Sequence, residues 1–370
     1  MKVKAQSPRR AAKAARYTTV CSMGIDLGDK FSRFCMLDEN GEVIQEGRFR
    51  TTRESIAAQF EGMPSPIRIA LEAGTHSGWV SRLLQELGYE VIVANPRDVV
   101  GIIRSHNKSD RIDAEKLARY VRVDPSLLNP ITHRSEAKQV DLAVVRMRAK
   151  FVAARTMLIN AARGIVKSLG YRLPGCPAKS FANKCKDAVP APLLETISPL
   201  LQQIASLTEQ ITTFDLAIEN LAHTKYPETA PLLSVTGVGS LTAVTFVLTL
   251  GDKERFKRSR DVGCYLGLRP KRHQSGDSDP ELGITKSGNR YMRMILIQCA
   301  QHMLRNITKD SALKRWGLKL AGRHGRNAKK RAVVAVARKL AVLLHRLWVT
   351  QEHFDPFYGC DKSSVVSAVA

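Results

Sequence analysis

The strongest constraint on the fold is the order of strand and helix patterns between residues 19 and 122. Three strand-like runs, at 20–28, 31–38 and 42–50, are separated by short polar turns, which predicts a meander of antiparallel strands. Helix and strand patterns then alternate in a regular order: helix 53–61, strand 67–72, helix 78–87, strand 90–95 and helix 110–122. The order predicts an α/β domain.

Four acidic residues occupy particular places in this order. Asp26 lies in the first strand and Glu72 ends the fourth, and a glycine follows each of them by two positions. Asp110 and Asp113 lie at a predicted helix start, where their spacing points both carboxylates to one side. Converging carboxylates repel each other unless a cation lies between them. The four residues are therefore predicted to bind Mg²⁺ or Mn²⁺, with ordinary surface acids as the alternative.

The charge balance indicates a polyanionic partner. The chain has 58 Lys plus Arg against 34 Asp plus Glu, a formal net charge of +24. Such a chain is expected to bind nucleic acid through counterion release. A solvated basic face or a binder of anionic membranes is the alternative, but the charge is spread along the whole chain, which favours nucleic acid.

Length and segment composition limit the remaining possibilities. A chain of 370 residues can form two or three domains, and no apolar run approaches the length of a membrane span. Residues 1–18 lack the apolar stretch of a secretion signal and are predicted to be a basic disordered arm, so a cytoplasmic location is expected. The seven cysteines show no Cys-x-x-Cys spacing and are expected to be reduced thiols.

The middle of the chain has helical periodicity. Apolar residues recur at three- and four-residue steps in 137–169 and again in 193–221, and the proline-rich connector between them cannot continue either helix. We predict an antiparallel coiled-coil dimerisation arm over 135–226. A purely structural spacer is the alternative.

A second functional region is predicted from about residue 227 to 350. Gly237 and Gly239 lie in a Gly-Val-Gly turn between two helical patterns, which is typical of a helix-hairpin-helix that grips a phosphate with backbone amides. A tight helix connection is the alternative. A long amphipathic helix at 327–348 is expected to pack on this region and to contact phosphates with its basic face, and 351–370 is predicted to be a tail.

Ser275 is the candidate nucleophile of this region. It lies between basic residues and a glycine, and Arg272, His273 and Lys286 are near enough in sequence to stabilise a phosphoryl transition state. A Ser-Gly pair in a loop is also a common turn. Ser278 and Ser287 are competing candidates.

The motifs together resemble a known family. They are Gly-Ile-Asp-Leu-Gly at 24–28, Leu-Glu-Ala-Gly at 71–74, the helix start at 108–116, Val-Thr-Gly-Val-Gly at 235–239, Gln-Ser-Gly at 274–276 and Lys-Ser-Gly-Asn at 286–289. In this order they resemble bacterial insertion-sequence transposases, which join a RuvC-like DEDD domain to a serine-bearing transposase domain. That family includes Piv-type DNA invertases and bridge-RNA-guided recombinases.

The resemblance implies a fold and a division of the chain. The fold class is α/β plus all-α: a ribonuclease H-like (RuvC-like) catalytic domain at 19–134, the coiled-coil arm at 135–226 and a helical serine transposase domain with the helix-hairpin-helix at 227–350. It also implies a homo-oligomer, a dimer or tetramer, in which the metal cluster of one subunit works with the serine of another.

The resemblance also implies roles and partners. Asp26, Glu72, Asp110 and Asp113 would hold the metal, and Ser275 would form a covalent 5′-phosphoserine link to DNA. The partners would be double-stranded donor and target DNA and a structured non-coding guide RNA, in a nucleoid-associated protein that has no membrane contact. The residues predicted to contact nucleic acid are Lys108, Arg111, Gly237, Gly239, Arg272, His273, Lys286 and Arg290.

The leading hypothesis is therefore a site-specific DNA recombinase of a mobile insertion sequence. Transesterification conserves bond energy, and the sequence contains no Gly-x-x-x-x-Gly-Lys-Ser/Thr loop for ATP. Two alternatives remain open: a metal-dependent Holliday-junction resolvase that uses only the four acids and water, and a non-enzymatic architectural nucleic-acid-binding protein.

Overall fold

A computed structural model describes residues 21–63, 66–96, 109–278, 280, 282–325 and 327–358. The chain divides into two compact units, Met1–Glu136 and Ala137–Ala370. The predicted basic arm at 1–18, the predicted contact Lys108 and the part of the predicted tail from 359 onward lie outside the described residues.

The first unit is built on one mixed sheet of five strands. They are β1 (Cys21–Asp26), β2 (Phe31–Leu37), β3 (Val43–Arg50), β4 (Ile67–Glu72) and β5 (Glu90–Ala94), in the order β3-β2-β1-β4-β5. The first three strands are antiparallel, and β4 and β5 run parallel to β1. The helices are α1 (Arg53–Phe60), α2 (Ser77–Glu86) and α3 (Asp110–Val123). The predicted order of strands and helices is confirmed, with ends that differ by at most two residues.

The two faces of the sheet are covered differently. Large apolar side chains on one face, such as Ile25 and Leu71, form a core with α1 and α2. The other face carries the small residues Gly24, Ala70 and Ala94 and is covered by α3. Because small residues face the helix, α3 approaches the sheet closely: an added Cβ at Gly24 would lie 2.0 Å from the carbonyl oxygen of Ala114. Only glycine fits at position 24 with α3 where it is.

Two long helices and a short one open the second unit. They are α4 (Glu136–Ser168), α5 (Phe181–Lys186) and α6 (Leu194–Asn220). Successive contacts join Arg148 to Asp215 at 2.6 Å and Arg155 to Thr208 at 3.2 Å, so α4 and α6 lie side by side and run antiparallel. Beyond them, Phe181 and Cys185 of α5 fill a separate small core.

The rest of the second unit is a helical domain around one larger core. Its helices are α7 (Ala230–Leu233), α8 (Ser240–Leu250), α9 (Arg260–Tyr265), α10 (Arg290–Met303), α11 (Ala312–Ala321) and α12 (Ala328–Thr350). Helix α8 is buried along nearly its whole length, and α12 packs its apolar side on the same core. In the part of the chain that the structure describes, no helix is both long and apolar enough to cross a membrane.

Candidate active site

The carboxyl ends of two neighbouring strands carry the first two candidate acids. Ile25 pairs with Leu71 in the parallel ladder between β1 and β4, so Asp26 and Glu72 are the next residues in register at the strand ends. In-register residues of parallel strands point to the same face, and neighbouring strands lie about 4.8 Å apart. Both carboxylates therefore project from the face that α3 covers, and both are half-buried.

Helix α3 carries the other two acids toward the same sheet edge. Its later residues Arg119 and Arg122 donate to the carbonyl oxygens of Gly41 and Glu39, in the turn after β2. That turn lies at the opposite end of β1 from Asp26, so the first turn of α3 lies on the side of the acid-bearing strand ends. Asp110 and Asp113 precede the buried Ala114 and Leu117 by four residues, which places them on the same helix face.

The start of α3 suits negative charge. Ser109 caps the helix by accepting from the amide of Ile112, and the positive end of the helix dipole favours the two carboxylates beside it. Oδ1 of Asp113 is buried and has no hydrogen-bond partner among the described residues. Burying a carboxylate oxygen without a partner is costly, and a bound cation would remove that cost. Carboxylate oxygens are the hard donors that bind Mg²⁺, which takes one or two of them and keeps several waters or phosphate oxygens.

The side chains themselves do not form a closed ligand set. Across the described ranges, no three His, Cys, Asp or Glu side chains form a group that could hold a metal ion. The structure thus brings the four acid-bearing positions to one edge and one face of the sheet, and metal ligation by them stays a prediction.

A histidine that the motif analysis missed stands at this edge. His76 follows Glu72 by four residues, and its Nε2 lies 3.5 Å from Oδ1 of Asp29, three residues after Asp26. The indole N–H of Trp79 donates to Nδ1 of His76 at 3.2 Å, so the proton of the neutral imidazole sits on Nε2, toward Asp29. The pair joins the two loops that follow the acid-bearing strands. The sequence signal was weak because neither residue belongs to a spaced acidic motif.

Ser275 lies at the tip of a tight hairpin in the second unit. The backbone amides of Ser275 and Ser278 each donate to the other residue's carbonyl oxygen at 3.1 Å, and Gly276 between them has a φ of +54°. All side chains from 271 to 278 are exposed, which includes Arg272 and His273. Arg272 donates to Oε1 of Gln274 at 2.5 Å. The hairpin therefore presents a hydroxyl and several cationic groups directly to solvent.

The two ends of this loop are fixed by a buried arginine that was not singled out from the sequence. Arg293 on α10 is 8% exposed, and its guanidinium donates to the carbonyl oxygens of Leu266, Ser287 and Gly288. The backbones meet closely here, because an added Cβ at Gly288 would lie 2.1 Å from the carbonyl oxygen of Tyr265. Gly288 also has a φ of +68°. The loop tip is open, while its base is tied to the helical core.

The other predicted contact residues have mixed environments. Arg111 forms an exposed ion pair with Glu46 at 2.9 Å, while Lys286 and Arg290 are exposed near the base of the serine loop. Gly237 has a φ of +85°, and an added Cβ there would lie 3.2 Å from the His302 ring on α10. The Gly-Val-Gly turn thus packs against α10, with Gly239 exposed. The segment before the turn is only the four-residue α7.

Two segments of the chain match transposase family models. Residues 23–170 match a transposase family defined by an IS110-type DEDD domain, and residues 229–316 match the transposase IS116/IS110/IS902 family. The first match includes all four acids, and the second includes Ser275.

Two relatives are similar over most of the chain, and a third over about a third of it. The transposase for insertion sequence element IS1111A of Coxiella burnetii is 29% identical over 90% of this chain and 90% of its own length. The transposase for element IS1328 of Yersinia enterocolitica is 29% identical over 87% of this chain and 95% of its own. A pilin gene-inverting protein of Moraxella lacunata is 26% identical over 34% of this chain and 38% of its own.

Proposed function

We propose a reaction chemistry for this chain on the premise that it is a transposase of the IS110/IS116 family, an enzyme that recombines DNA for a mobile insertion sequence. The proposal has three parts: divalent metal at the acidic edge, Ser275 as nucleophile, and a guide RNA as the source of specificity. The observation that carries it is the convergence of Asp26, Glu72 and the start of α3 on one sheet edge.

Asp26, Glu72, Asp110 and Asp113 are proposed to hold Mg²⁺ or Mn²⁺. A bound ion of this kind supplies charge stabilisation to the oxygens of a phosphoryl group in displacement. The protein contributes two carboxylates from rigid strand ends and two from a capped helix start, all on one face. Oδ1 of Asp113 is buried without a hydrogen-bond partner among the residues that the structure describes, which supports a cation at this edge.

Ser275 is proposed to attack a DNA phosphate. A bond forms between Oγ and phosphorus while the bond from phosphorus to the 3′ oxygen breaks; the hydroxyl proton leaves and the departing oxygen takes up a proton as a 3′ hydroxyl. A second 3′ hydroxyl later attacks the 5′-phosphoserine and restores the serine. Ser275 is exposed and follows the exposed Arg272 by three residues, which supports this choice. Ser287 is less suited, because its hydroxyl is half-buried and bonded to Thr285 at 3.0 Å.

Assembly and guidance complete the proposal. The antiparallel α4 and α6 are proposed as a coiled-coil arm that joins subunits into a dimer or tetramer, so that the metal edge of one subunit serves the serine of another. The Gly-Val-Gly turn is proposed as a helix-hairpin-helix contact to phosphates, and a structured non-coding RNA as the guide. With DNA as substrate, we place the protein in the cytoplasm at the nucleoid.

The test is a covalent-intermediate assay with DNA that spans the ends of the insertion sequence, labelled at its 3′ end. The parent should give a protein-linked labelled strand on a denaturing gel. Ser275→Ala should abolish it, Ser278→Ala should retain it, and Asp26→Asn should abolish cleavage while DNA binding persists. If Ser275→Ala still cuts, the chain acts as a hydrolytic resolvase that uses only the acids and water.

The guide-RNA part has its own test. The protein is purified from its host without nuclease treatment, and the nucleic acid that travels with it is sequenced. A single discrete structured RNA supports the proposal, whereas random cellular RNA contradicts it.

A further inference from the structure

A large groove in the second unit adjoins the serine hairpin, and most of its lining has no part in the chemistry proposed above. Its volume is about 2240 Å³, and it is bounded by residues within 268–272, 280 and 282–286, by α11, by the outer side of α12 and by residues within 352–358. We call it the basic groove. All of these parts belong to one compact unit.

The walls of the basic groove carry a strong excess of positive charge. Among its lining cations are Lys271, Arg272, Arg323, Lys330, Arg331 and Arg338, all of them exposed. Arg331 and Arg338 lie seven residues apart, which places them on one side of α12. Among the described residues of the lining, the acidic ones are Glu352 and Asp355, and Glu352 is paired with Arg346 at 3.4 Å. The groove therefore attracts a polyanion.

The floor of the groove has a different character. Leu313, Trp316 and Leu320 of α11 line it together with Val334 and Leu343 of α12. Trp316 is half-buried, and Nζ of Lys339 lies 3.8 Å from the centroid of its ring, so a cation and an aromatic surface stand side by side. An apolar floor between cationic walls suits a ligand that has both charge and flat apolar faces.

These two properties distinguish between forms of nucleic acid. A duplex presents its phosphates and sugars outward and keeps its base faces stacked inside, so an apolar floor has nothing to contact. An unpaired strand exposes base faces, which stack on aromatic side chains while cations follow the backbone. We propose that the basic groove binds an unpaired stretch of DNA strand during recombination.

The groove also lies beside the serine hairpin. Lys271 and Arg272 line it and precede Ser275 by only four and three residues. A strand bound there runs next to the hydroxyl proposed to attack DNA. This relation to Ser275 rests on the proposed function, whereas the preference for unpaired DNA does not.

The test measures binding of a fluorescein-labelled, unstructured 20-nucleotide DNA strand, and of the matching duplex, across a range of salt concentrations. The variant Lys330→Gln/Arg331→Gln/Arg338→Gln should weaken single-strand binding at least about tenfold and reduce the slope of log affinity against log salt by about two. The matched control Lys179→Gln/Lys184→Gln/Lys186→Gln removes the same charge from exposed positions on and beside α5 and should change single-strand binding little. Equal losses in both variants would overturn the proposal.

Photocrosslinking locates the strand. A 5-iodouracil-substituted strand should crosslink to the α11 peptide that contains Trp316, and excess unlabelled single strand should compete better than duplex. Crosslinks confined to other regions, or tighter binding of the duplex, would overturn the proposal. A groove variant whose oligomeric state differs from that of the parent in the absence of DNA would also overturn it. Ser275→Ala should bind the strand as tightly as the parent, so failure of the serine chemistry is distinguished from failure of the groove.

Discussion

Asp113 is the residue at which the metal hypothesis is most open to test. Its buried Oδ1 has no protein partner within the described ranges, and its neighbour Asp110 is exposed at the same helix start. A neutral amide costs less to bury than a carboxylate. Replacing the Asp113 carboxylate by an amide should therefore affect metal binding without lowering the stability of the metal-free fold.

We expect Asp113→Asn to unfold at the same or a higher temperature than the parent without metal, and to lose the stabilisation that Mg²⁺ gives the parent. A ligand at 100 times its dissociation constant stabilises a fold by about 2.7 kcal/mol. Thermal unfolding with EDTA or with Mg²⁺ measures both effects. Glu86→Gln, an exposed change on α2, should keep the full response to Mg²⁺. An unaltered response in Asp113→Asn would contradict metal ligation by this residue.

His345 gives a prediction for pH. Its Nε2 donates to the carbonyl oxygen of Lys253, and Nδ1 accepts from the hydroxyl of Ser259, both at 3.0 Å. Burial lowers the pKa of His345 below its ordinary value of 6.5, because desolvation disfavours the charged ring. The unfolded chain then binds a proton more readily than the folded one. The stability contribution is complete above pH 6.5 and is lost as the pH falls below it toward the folded-state pKa.

We therefore expect the free energy of unfolding of the second unit to fall between pH 7.5 and 5, by about 1.4 kcal/mol for each unit that separates the two pKa values. Urea denaturation across this range measures the slope. His345→Asn should flatten it at some cost in stability at pH 7.5. His324→Gln, an exposed change, should leave the slope as it is.

At the scale of elements, the packing of α3 on β1 controls where two of the four acids stand. The contact depends on Gly24, whose added Cβ would meet the backbone of α3 rather than a side chain that can rotate away. The helix would have to shift outward, and Asp110 and Asp113 would shift with it. A methyl group far from any metal should thus alter metal binding.

We expect Gly24→Ala to destabilise the first unit by about 1–3 kcal/mol or more, as overpacking does. It should also weaken Mg²⁺ binding although it changes no ligand. Gly62→Ala is the matched control, because nothing lies within 4 Å of an added Cβ there. Chemical denaturation and a Mg²⁺ titration followed by isothermal calorimetry measure the two effects. Equal stability and equal Mg²⁺ affinity in the two variants would mean that α3 can shift without affecting the acids, and would contradict this prediction.

The elements of the first unit could be predicted because each is a short periodic run bounded by turns. Strand β4 and helix α2, for example, end within one residue of their predicted ends, since Gly74 and Gly88 punctuate the sequence. Long helices such as α4 and α12 were equally accessible, because many repeats of the apolar spacing average out local exceptions. The bounds of these strands and helices are thus determined by residues close to them in the sequence.

What could not be predicted depends on packing between distant segments. The three carbonyl oxygens that Arg293 contacts belong to two separate turns, and nothing in the sequence around Arg293 indicates them. The helix expected from Pro231 up to the Gly-Val-Gly turn is only the four-residue α7, because residues 234–238 form successive turns in which the amides of Val235 and Val238 donate to the carbonyl oxygens three residues before them. The basic groove likewise exists only once α11 and α12 pack together.

On the scale of the whole molecule, the candidate metal ligands and the candidate nucleophile are carried by different compact units. The four acids fall in Met1–Glu136, and Ser275 with the basic groove falls in Ala137–Ala370. Ligands that bind one unit should therefore stabilise that unit first. Local amide exchange can report on each unit within the intact chain.

We expect Mg²⁺ alone to slow amide exchange in α3 and in the ends of β1 and β4, with little change in α11 and α12. Single-stranded DNA with EDTA should protect α11 and α12 and leave α3 unchanged. Hydrogen exchange with mass spectrometry on the full-length protein measures both patterns. Protection of both units by Mg²⁺ alone would contradict the separation of roles.

The serine hairpin combines an exposed tip with a base that is fixed to the helical core. Its two ends are held at the helical core by Gly288 and Arg293, while the residues at its tip are exposed. A DNA strand covalently attached to the tip would lie outside the protein and would leave the hydrophobic core intact. If Ser275 is the nucleophile, the enzyme would therefore hold a cut strand through the exchange of partners without weakening its own fold.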